Sequence, residues 1–289
     1  MKIGIIYPQN ELQGEPTAVR DIGLAVEAQG FDHLLAYDHV LGATHDREPK
    51  LWGPYTENDP FHDPFVMFAY LAGITTTLEF VTGILILPQR QTVLVARQAA
   101  DLDLLSNQRF RLGVGIGWNY VEYDAMGEDF HTRGKRVGEQ VDLLRQLWGE
   151  PLVEFSGEFD RVDRAALLPK PRRQIPIYMG GFADVALERA ARIADGFICA
   201  DGAADAFEQA ARLQTLLRDG GRDPESFGLH CNMLKAKGAD AVAETVARWG
   251  EAGGTHACVN TMGQGFSTAA EHIDYIAEVA ATLRKNGLM

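Results

Sequence analysis

The chain is short of the groups that several large classes of function depend on. Basic residues are outnumbered, 27 Lys and Arg against 40 Asp and Glu, which leaves a formal charge of −13. Binding to nucleic acid is driven by Lys and Arg displacing counterions from phosphates, so this balance, with no basic cluster to offset it, argues against a nucleic-acid partner. No apolar run is long enough to span a bilayer. The N-terminal segment MKIGIIYPQN has one Lys and too brief an apolar stretch for a secretion signal. These absences predict a cytoplasmic protein with no membrane partner. Cysteine is also scarce: Cys199, Cys231 and Cys258 are far apart, and no C-x-x-C occurs. A disulfide framework and a thiolate metal centre are both disfavoured, and each Cys, set in or beside an apolar run, reads as a buried reduced thiol.

What the chain does have is a regular alternation. Short apolar runs (KIGIIY, HLLAY, EFVTGILIL, FRLGVGI, IPIYMG, GFICA, FGLHCNML, THACVN) alternate with longer segments of helical period. The runs cover 2–7, 33–37, 79–87, 110–116, 175–180, 196–200, 227–234 and 255–260. The predicted helices cover 16–29, 64–76, 91–105, 133–148, 184–194, 205–219, 240–252 and 268–285. Strands that are apolar throughout are buried on both faces, and helices between them imply right-handed crossovers and a parallel sheet. Eight such units predict a (βα)8 barrel in one domain, 1–289. The rival, an open doubly wound sheet, would need G-x-G-x-x-G after the first strand, and YPQNELQGEP has no such pattern.

Two insertions interrupt the rhythm. The loop at about 40–62 follows the second strand, contains Trp52, Tyr55, Phe61 and His62, and belongs to the face where barrels build active sites. It reads as a lid or substrate wall. The segment 152–174 alternates like a hairpin around Ser156-Gly157 and ends in a Pro/Arg-rich connector, which suggests a structural role.

In a barrel the reactive groups sit just past each strand. That rim is poor in ionisable residues: Asp38, His39, Asp201 and Lys235 are the only ones expected there. With no H-x-H on the first strand, and His45 and His62 in the long loop, a metal-dependent hydrolase is disfavoured and no metal is expected. Lys235, a conceivable Schiff-base lysine, lies in KAKG, which reads as a solvated turn. The Asp38-His39 pair in AYDHVLG is open to two readings, a capped strand end or a catalytic pair. The remainder of the rim is Gly, aromatic and large apolar, which suits a flat ring. Gly180-Gly181-Phe182-Ala183 opens a helix whose free N–H groups could hold a phosphate, although tight helix packing explains those glycines equally well. The loop NTMGQG (260–265) is an equal candidate.

The segments at 80–123, 130–148 and 167–197 resemble the bacterial luciferase-like oxidoreductases, most closely their coenzyme F420-dependent branch. The likeness runs in order over nearly the whole chain. It implies a (βα)8 barrel, usually a homodimer, that holds a reduced flavin or deazaflavin in the strand C-terminal mouth. It further implies His39 as acid/base group beside the hydride-transfer carbon and Asp38 as a hydrogen-bond partner at the coenzyme. Thr82, Gly83 and Ile84 correspond to a bulge with a non-proline cis peptide, expected at Gly83-Ile84, behind the ring. Gly115, Ile116, Gly117 and Asn119 correspond to pocket-lining residues, and Gly180, Gly181, Phe182 and Ala183 to the cofactor phosphate site.

Departures from the pattern narrow the substrate. Relatives that act on sugar phosphates carry an acidic residue near Trp118 and basic residues after the sixth strand, where this chain reads ADGAADAF. A phosphorylated sugar is therefore not expected. Trp118, with Trp52 and Tyr55, suggests a small organic substrate that is aromatic or carbonyl-bearing. The expected activity is an F420-dependent hydride transfer. Its alternatives are an FMN-dependent monooxygenase that uses reduced flavin and O2, and a non-catalytic flavin-binding protein.

Overall fold

The structure is a computed structural model that describes residues 1–202 and 204–289. Strand β1 (Lys2–Ile6) leads into α1 (Pro16–Ala28), which begins with Pro at its first turn and gives way to Gly30 at φ +76°. Pro suits a first turn because its missing N–H is not needed there, and glycine adopts the left-handed conformation that stops the helix. Then follow β2 (His33–Ala36), α2 (Pro64–Ala72), β3 (Glu79–Thr82), β4 (Leu85–Ile86), α3 (Thr92–Leu105), β5 (Phe110–Gly115), α4 (Tyr120–Ala125) and α5 (Arg133–Gly149). After the hairpin β6 (Val153–Ser156) and β7 (Arg161–Ala165) come β8 (Ile177–Gly180), α6 (Asp184–Ile193), β9 (Gly196–Ala200) and α7 (Ala206–Asp219). The chain ends with β10 (Gly228–Met233), α8 (Ala239–Glu251), β11 (His256–Asn260) and α9 (Ala269–Lys285).

All strands outside the hairpin are parallel neighbours in one closed sheet. β1 pairs β2 on one side and β11 on the other, and closure runs through Phe80↔Phe110 and Val81↔Arg111 between β3 and β5. The expected eight-stave (βα)8 barrel is the fold. Strand alternation sorts its interior. Ile3, Ile5, Leu34, Phe80, Leu112 and Phe197 face the helices and join the main core, whereas Ile6, Leu35, Val81, Tyr178, Ile198 and Cys258 form a second cluster. Each fully buried aliphatic side chain stabilises such a core by about 1.5–3 kcal/mol. The three cysteines are free and buried, and burial pushes the Cys199 thiol up to about 12.

Three expectations are corrected. The third stave is not continuous over 79–87. It breaks between β3 and β4 at a cis Gly83-Ile84 peptide, and a Cβ on Gly83 would sit 2.3 Å from Leu35 Cδ2. The helix expected over 64–76 stops at Ala72, because the N–H groups of Ile74 and Thr75 and the Thr75 hydroxyl all turn back to the Leu71 carbonyl. The short helix α4 was not anticipated. The hairpin forms as expected, and its turn is held by Glu139, whose carboxylate accepts the N–H groups of Glu158, Phe159 and Asp160. Asp160 accepts a hydrogen bond from Thr92, the first residue of α3. The insertion therefore runs along the outside of the barrel toward the N-terminal starts of its helices.

Candidate active site

The strand C-terminal mouth is built around the residue pair after β2. Asp38 is 3% exposed, and both of its oxygens are engaged: Oδ2 accepts the Ile86 N–H at 2.9 Å and Oδ1 accepts Arg90 Nη2 at 2.7 Å. Arg90 also reaches Asp63 Oδ2 at 3.2 Å, the residue that caps α2. Burial pushes the Asp38 carboxyl up, and Arg90 and the Ile86 N–H oppose that shift. Asp38 thus ties the end of β2 to β4.

His39 is turned the other way. Its Nδ1 lies 3.1 Å from Glu122 Oε1, and their side chains are 7% and 0% exposed. A carboxylate only accepts, so Nδ1 carries the proton and Nε2 is the nitrogen left for chemistry. Glu122 stands in the first turn of α4, which Asn119 caps by accepting the Val121 N–H at 3.1 Å. Asn119 also donates to the Leu41 carbonyl at 3.3 Å, and the Leu41 N–H donates to Glu122 Oε1 at 3.0 Å. The start of the long loop is therefore laced to α4, and His39 is held from outside its own strand. The sequence reading omitted Glu122 and Arg90 from the rim. The spacing of Asn119 and Glu122 is a helix-start signal, an N-cap followed three residues later by an acid, and could have located α4.

Aromatic rings enclose the imidazole. Ring centroids lie 4.8 Å away for Phe61, 5.3 Å for Tyr55 and 5.5 Å for Trp118. Of the three expected substrate residues, the fold brings Tyr55 and Trp118 to His39. Trp52, 71% exposed, lies tilted against Trp118 with ring centroids 5.9 Å apart. Gly53 has no Cβ to collide with the Trp118 indole, which would be 2.1 Å from it. The loop at 40–62 is thus packed onto Trp118 as a wall.

The remaining predicted residues divide into surface and scaffold. Ile84, turned by the cis bond, lies over two glycines: a Cβ on Gly115 would come 2.6 Å from its Cδ1, and one on Gly180 would come 2.9 Å from its Cγ2. Gly117 has φ +61° and lies against Ile86. The half-buried Ile116 accepts the Tyr123 hydroxyl through its carbonyl at 2.7 Å. Thr82 is scaffold, because its hydroxyl bonds both the Gly113 carbonyl, at 2.7 Å, and the Gly113 N–H, at 2.8 Å. At the start of α6, Gly181, Phe182 and Ala183 precede a helix whose N-cap, Ala183, offers no side-chain acceptor, with Asp184 in the first turn. The rival loop at 260–265 is closed: the Gly263 N–H goes to Glu11 Oε1 at 2.8 Å, and α9 is sealed by a Thr268–Glu271 capping box. Lys235 is exposed and its N–H bonds Asp201, as expected of a turn.

Comparison with known proteins agrees with this geometry. The family model for luciferase-like monooxygenases matches residues 1–281. A Mycobacterium tuberculosis (H37Rv) protein of uncharacterised function is 35% identical over 224 residues, covering 75% of this chain and 77% of its own. The pyrimidine monooxygenase RutA of Variovorax paradoxus is 29% identical over 286 residues, covering 91% and 74%. Among solved structures, an F420-dependent secondary alcohol dehydrogenase bound to an F420-acetone adduct superposes with TM-score 0.78 at 19% identity, covering 98% of this chain and 99% of that one. The monooxygenase RslO1 of Streptomyces bottropensis does so with TM-score 0.81 at 18% identity, covering 99% and 100%. At these identities the two structures attest the fold alone, whereas the family match spans nearly every residue described above. With its barrel, its cis Gly83-Ile84 bulge and its strand-end histidine, the chain belongs to the luciferase-like monooxygenase family, whose members are oxidoreductases and monooxygenases.

Proposed function

We propose that the chain is a coenzyme F420-dependent oxidoreductase that moves a hydride between the deazaflavin and a small carbonyl-bearing or unsaturated organic molecule. The observation that carries this reading is the buried His39–Glu122 couple inside its aromatic enclosure. Hydride transfer to a carbonyl carbon leaves charge on oxygen that needs a proton, and the reverse reaction must remove one. An imidazole whose Nδ1 is fixed by a carboxylate presents Nε2 for that exchange. Phe61, Tyr55 and Trp118 exclude water from the same volume and set an apolar wall for the substrate.

The mouth fits such a coenzyme. Gly115 and Gly180 leave the room that the Ile84 side chain fills, so Ile84 itself forms the apolar wall there. The buried Gln89 amide and the Asn232 Oδ1 have no partner among the described residues and could meet the polar edge of a heterocycle. The uncapped start of α6 at Gly181, Phe182 and Ala183 suits its phosphate. When bound, the deazaflavin supplies a ring carbon that accepts or releases a hydride. Asp38 and Thr82 act beneath this surface by fixing the bulge.

An FMN-dependent monooxygenase is the second reading, favoured by the pyrimidine monooxygenase relatives. Equilibrium titration of the purified protein with F420 and with FMN separates the two, and tighter binding of F420 is expected. A preference for FMN would replace the first reading by the second. Binding without turnover of any compound in a broad carbonyl and enone screen would leave a non-catalytic binding protein. A homodimer belongs to the same proposal, supported by the exposed Val66 and Tyr70 on α2 and Val93 and Leu94 on the adjoining α3. Light scattering should return twice the chain mass. A cytoplasmic location is proposed with it. In keeping with that, no helix among the described residues is long and apolar enough to cross a membrane.

A further inference from the structure

The opposite end of the barrel holds a second polar cluster that the proposed chemistry does not use. Arg111 on β5 points inward over the Tyr178 ring, 4.7 Å from its centroid. Beyond Tyr178 follow His256 at 5.8 Å, His230 stacked on His256 at 5.9 Å, and His33 at 5.1 Å from His230. Arg111 is 5% exposed, and its Nε, Nη1 and Nη2 are all buried with no hydrogen-bond partner among the described residues. Both ring nitrogens of His33 and of His230 are in the same condition.

Arg111 lines a cavity of about 140 Å³ together with Lys2, Arg109, Arg173, Tyr178, His256 and Glu79. The cationic excess there is not cancelled by the lining. Lys2 is paired with Glu79, and Arg173 with Asp103 at 2.8 Å. Arg109 spends its donors on neutral acceptors, among them the carbonyls of Leu78 at 2.6 Å and Ser106 at 2.6 Å. Arg111 has neither a carboxylate nor a carbonyl. A buried guanidinium cannot relieve its charge by losing a proton at ordinary pH, and an unpaired buried charge is strongly destabilising. Its counter-charge must come from outside the chain.

We infer that this cavity is a binding site for a small oxyanion, with the Arg111 guanidinium as its principal donor and Lys2 at its edge. A planar fork of N–H groups matches the paired oxygens of phosphate, sulfate or a carboxylate. The cavity is several water molecules in volume, roomy enough for such an ion. His33, His230 and Cys258 offer atoms close enough together to hold a metal. A cation there would sit near the uncompensated guanidinium with no carboxylate among its ligands, so an anion is the better match. The site lies at the far end of the barrel from His39 and does not depend on the coenzyme assignment.

The test is isothermal calorimetry and thermal unfolding of the full chain with inorganic phosphate, sulfate and acetate at fixed ionic strength, chloride serving as the balancing salt. In the wild type a saturable heat and a rise in Tm are expected with at least one oxyanion. Binding should weaken at least tenfold in Arg111→Met and several-fold in Lys2→Met, an exposed position that leaves the interior intact. Because phosphate could also meet the α6 N-terminus, retention of the same affinity in both variants overturns the inference. So does an absence of saturable binding in the wild type. Stabilisation by zinc that His230→Gln removes, without any by oxyanions, replaces the anion site with a metal site.

Discussion

The two ends of this barrel both carry histidine and arginine in its interior, yet they balance charge in opposite ways. At the mouth the central pair is matched by carboxylates: His39 has Glu122, and Arg90 has Asp38 and Asp63. At the base His33, His230 and Arg111 have no hydrogen-bond partner among the described residues. The mouth spends acidic residues from three separate segments to hold one imidazole and one guanidinium in fixed orientations. The base leaves its imidazoles neutral, since burial, reinforced by Arg111, depresses all three histidines, His256 to about 2. Orientation is what chemistry at the mouth requires, and neutrality is how a buried histidine persists without a carboxylate.

The sharpest way to break the mouth is to remove its imidazole. His39→Ala should lower turnover by about 10²–10⁴-fold, the usual contribution of a positioned acid/base group, while coenzyme affinity in equilibrium titration stays within a few-fold. Unchanged turnover with coenzyme bound would sink the assignment. Asp38→Asn tests whether the neighbouring pair is scaffold. Breaking a buried ion pair costs about 3–5 kcal/mol, and the loss in denaturant unfolding should fall near the lower end because Asp63 still holds Arg90.

The base predicts an acid sensitivity that the mouth does not. Each of its three histidines takes up a proton in the unfolded chain below its ordinary value of about 6.5, but stays neutral in the folded chain. The unfolded state then binds more protons, so stability rises with pH and is lost on acidification from about pH 6.5 downward. Well below that pH and in oxyanion-free buffer, the three together should steepen the loss by about 4 kcal/mol per pH unit. Unfolding free energies between pH 7.5 and 5 measure it, and His230→Asn should remove about a third of that slope. A flat profile down to pH 5 would show that the cluster is not neutral when folded. The smallest effect is expected for Glu122→Gln. An amide can still hold Nδ1 without the charge, so kcat should fall by about 10–100-fold, the range typical of partners that orient a functional histidine. The pH profile of kcat should move while KM stays nearly constant. A purely structural role for Glu122 would lower stability and leave the pH profile in place.

Much of the barrel was legible because its strands are buried on both faces and its helices on one. The alternation of apolar runs with helical segments is a local property that burial imposes on every unit. The break at Gly83-Ile84 was not visible in EFVTGILIL itself, since an apolar run reads the same whether or not its backbone turns. It came from resemblance, and the structure bears it out. His39 stood out because the rim has few ionisable groups. Glu122 did not, because it lies seven positions past its strand on a helix too short to carry an amphipathic signature. Arg111 sits inside FRLGVGI, where a lone charge in an apolar run shows no sign of lacking a partner.

By itself, then, the sequence determined the order of the eight strand–helix units and the closed parallel sheet they make, because hydrophobic periodicity is set residue by residue. It also determined which strand end carries His39. Only the tertiary structure decided that Glu122 holds His39, that Asp38 bonds Arg90 and the Ile86 N–H while Thr82 bonds Gly113, and that Arg111 is left uncompensated among neutral imidazoles. Those outcomes depend on which side chains from distant strands meet in one low-dielectric volume. A pairing of charges across the barrel leaves no trace in the local pattern of either partner.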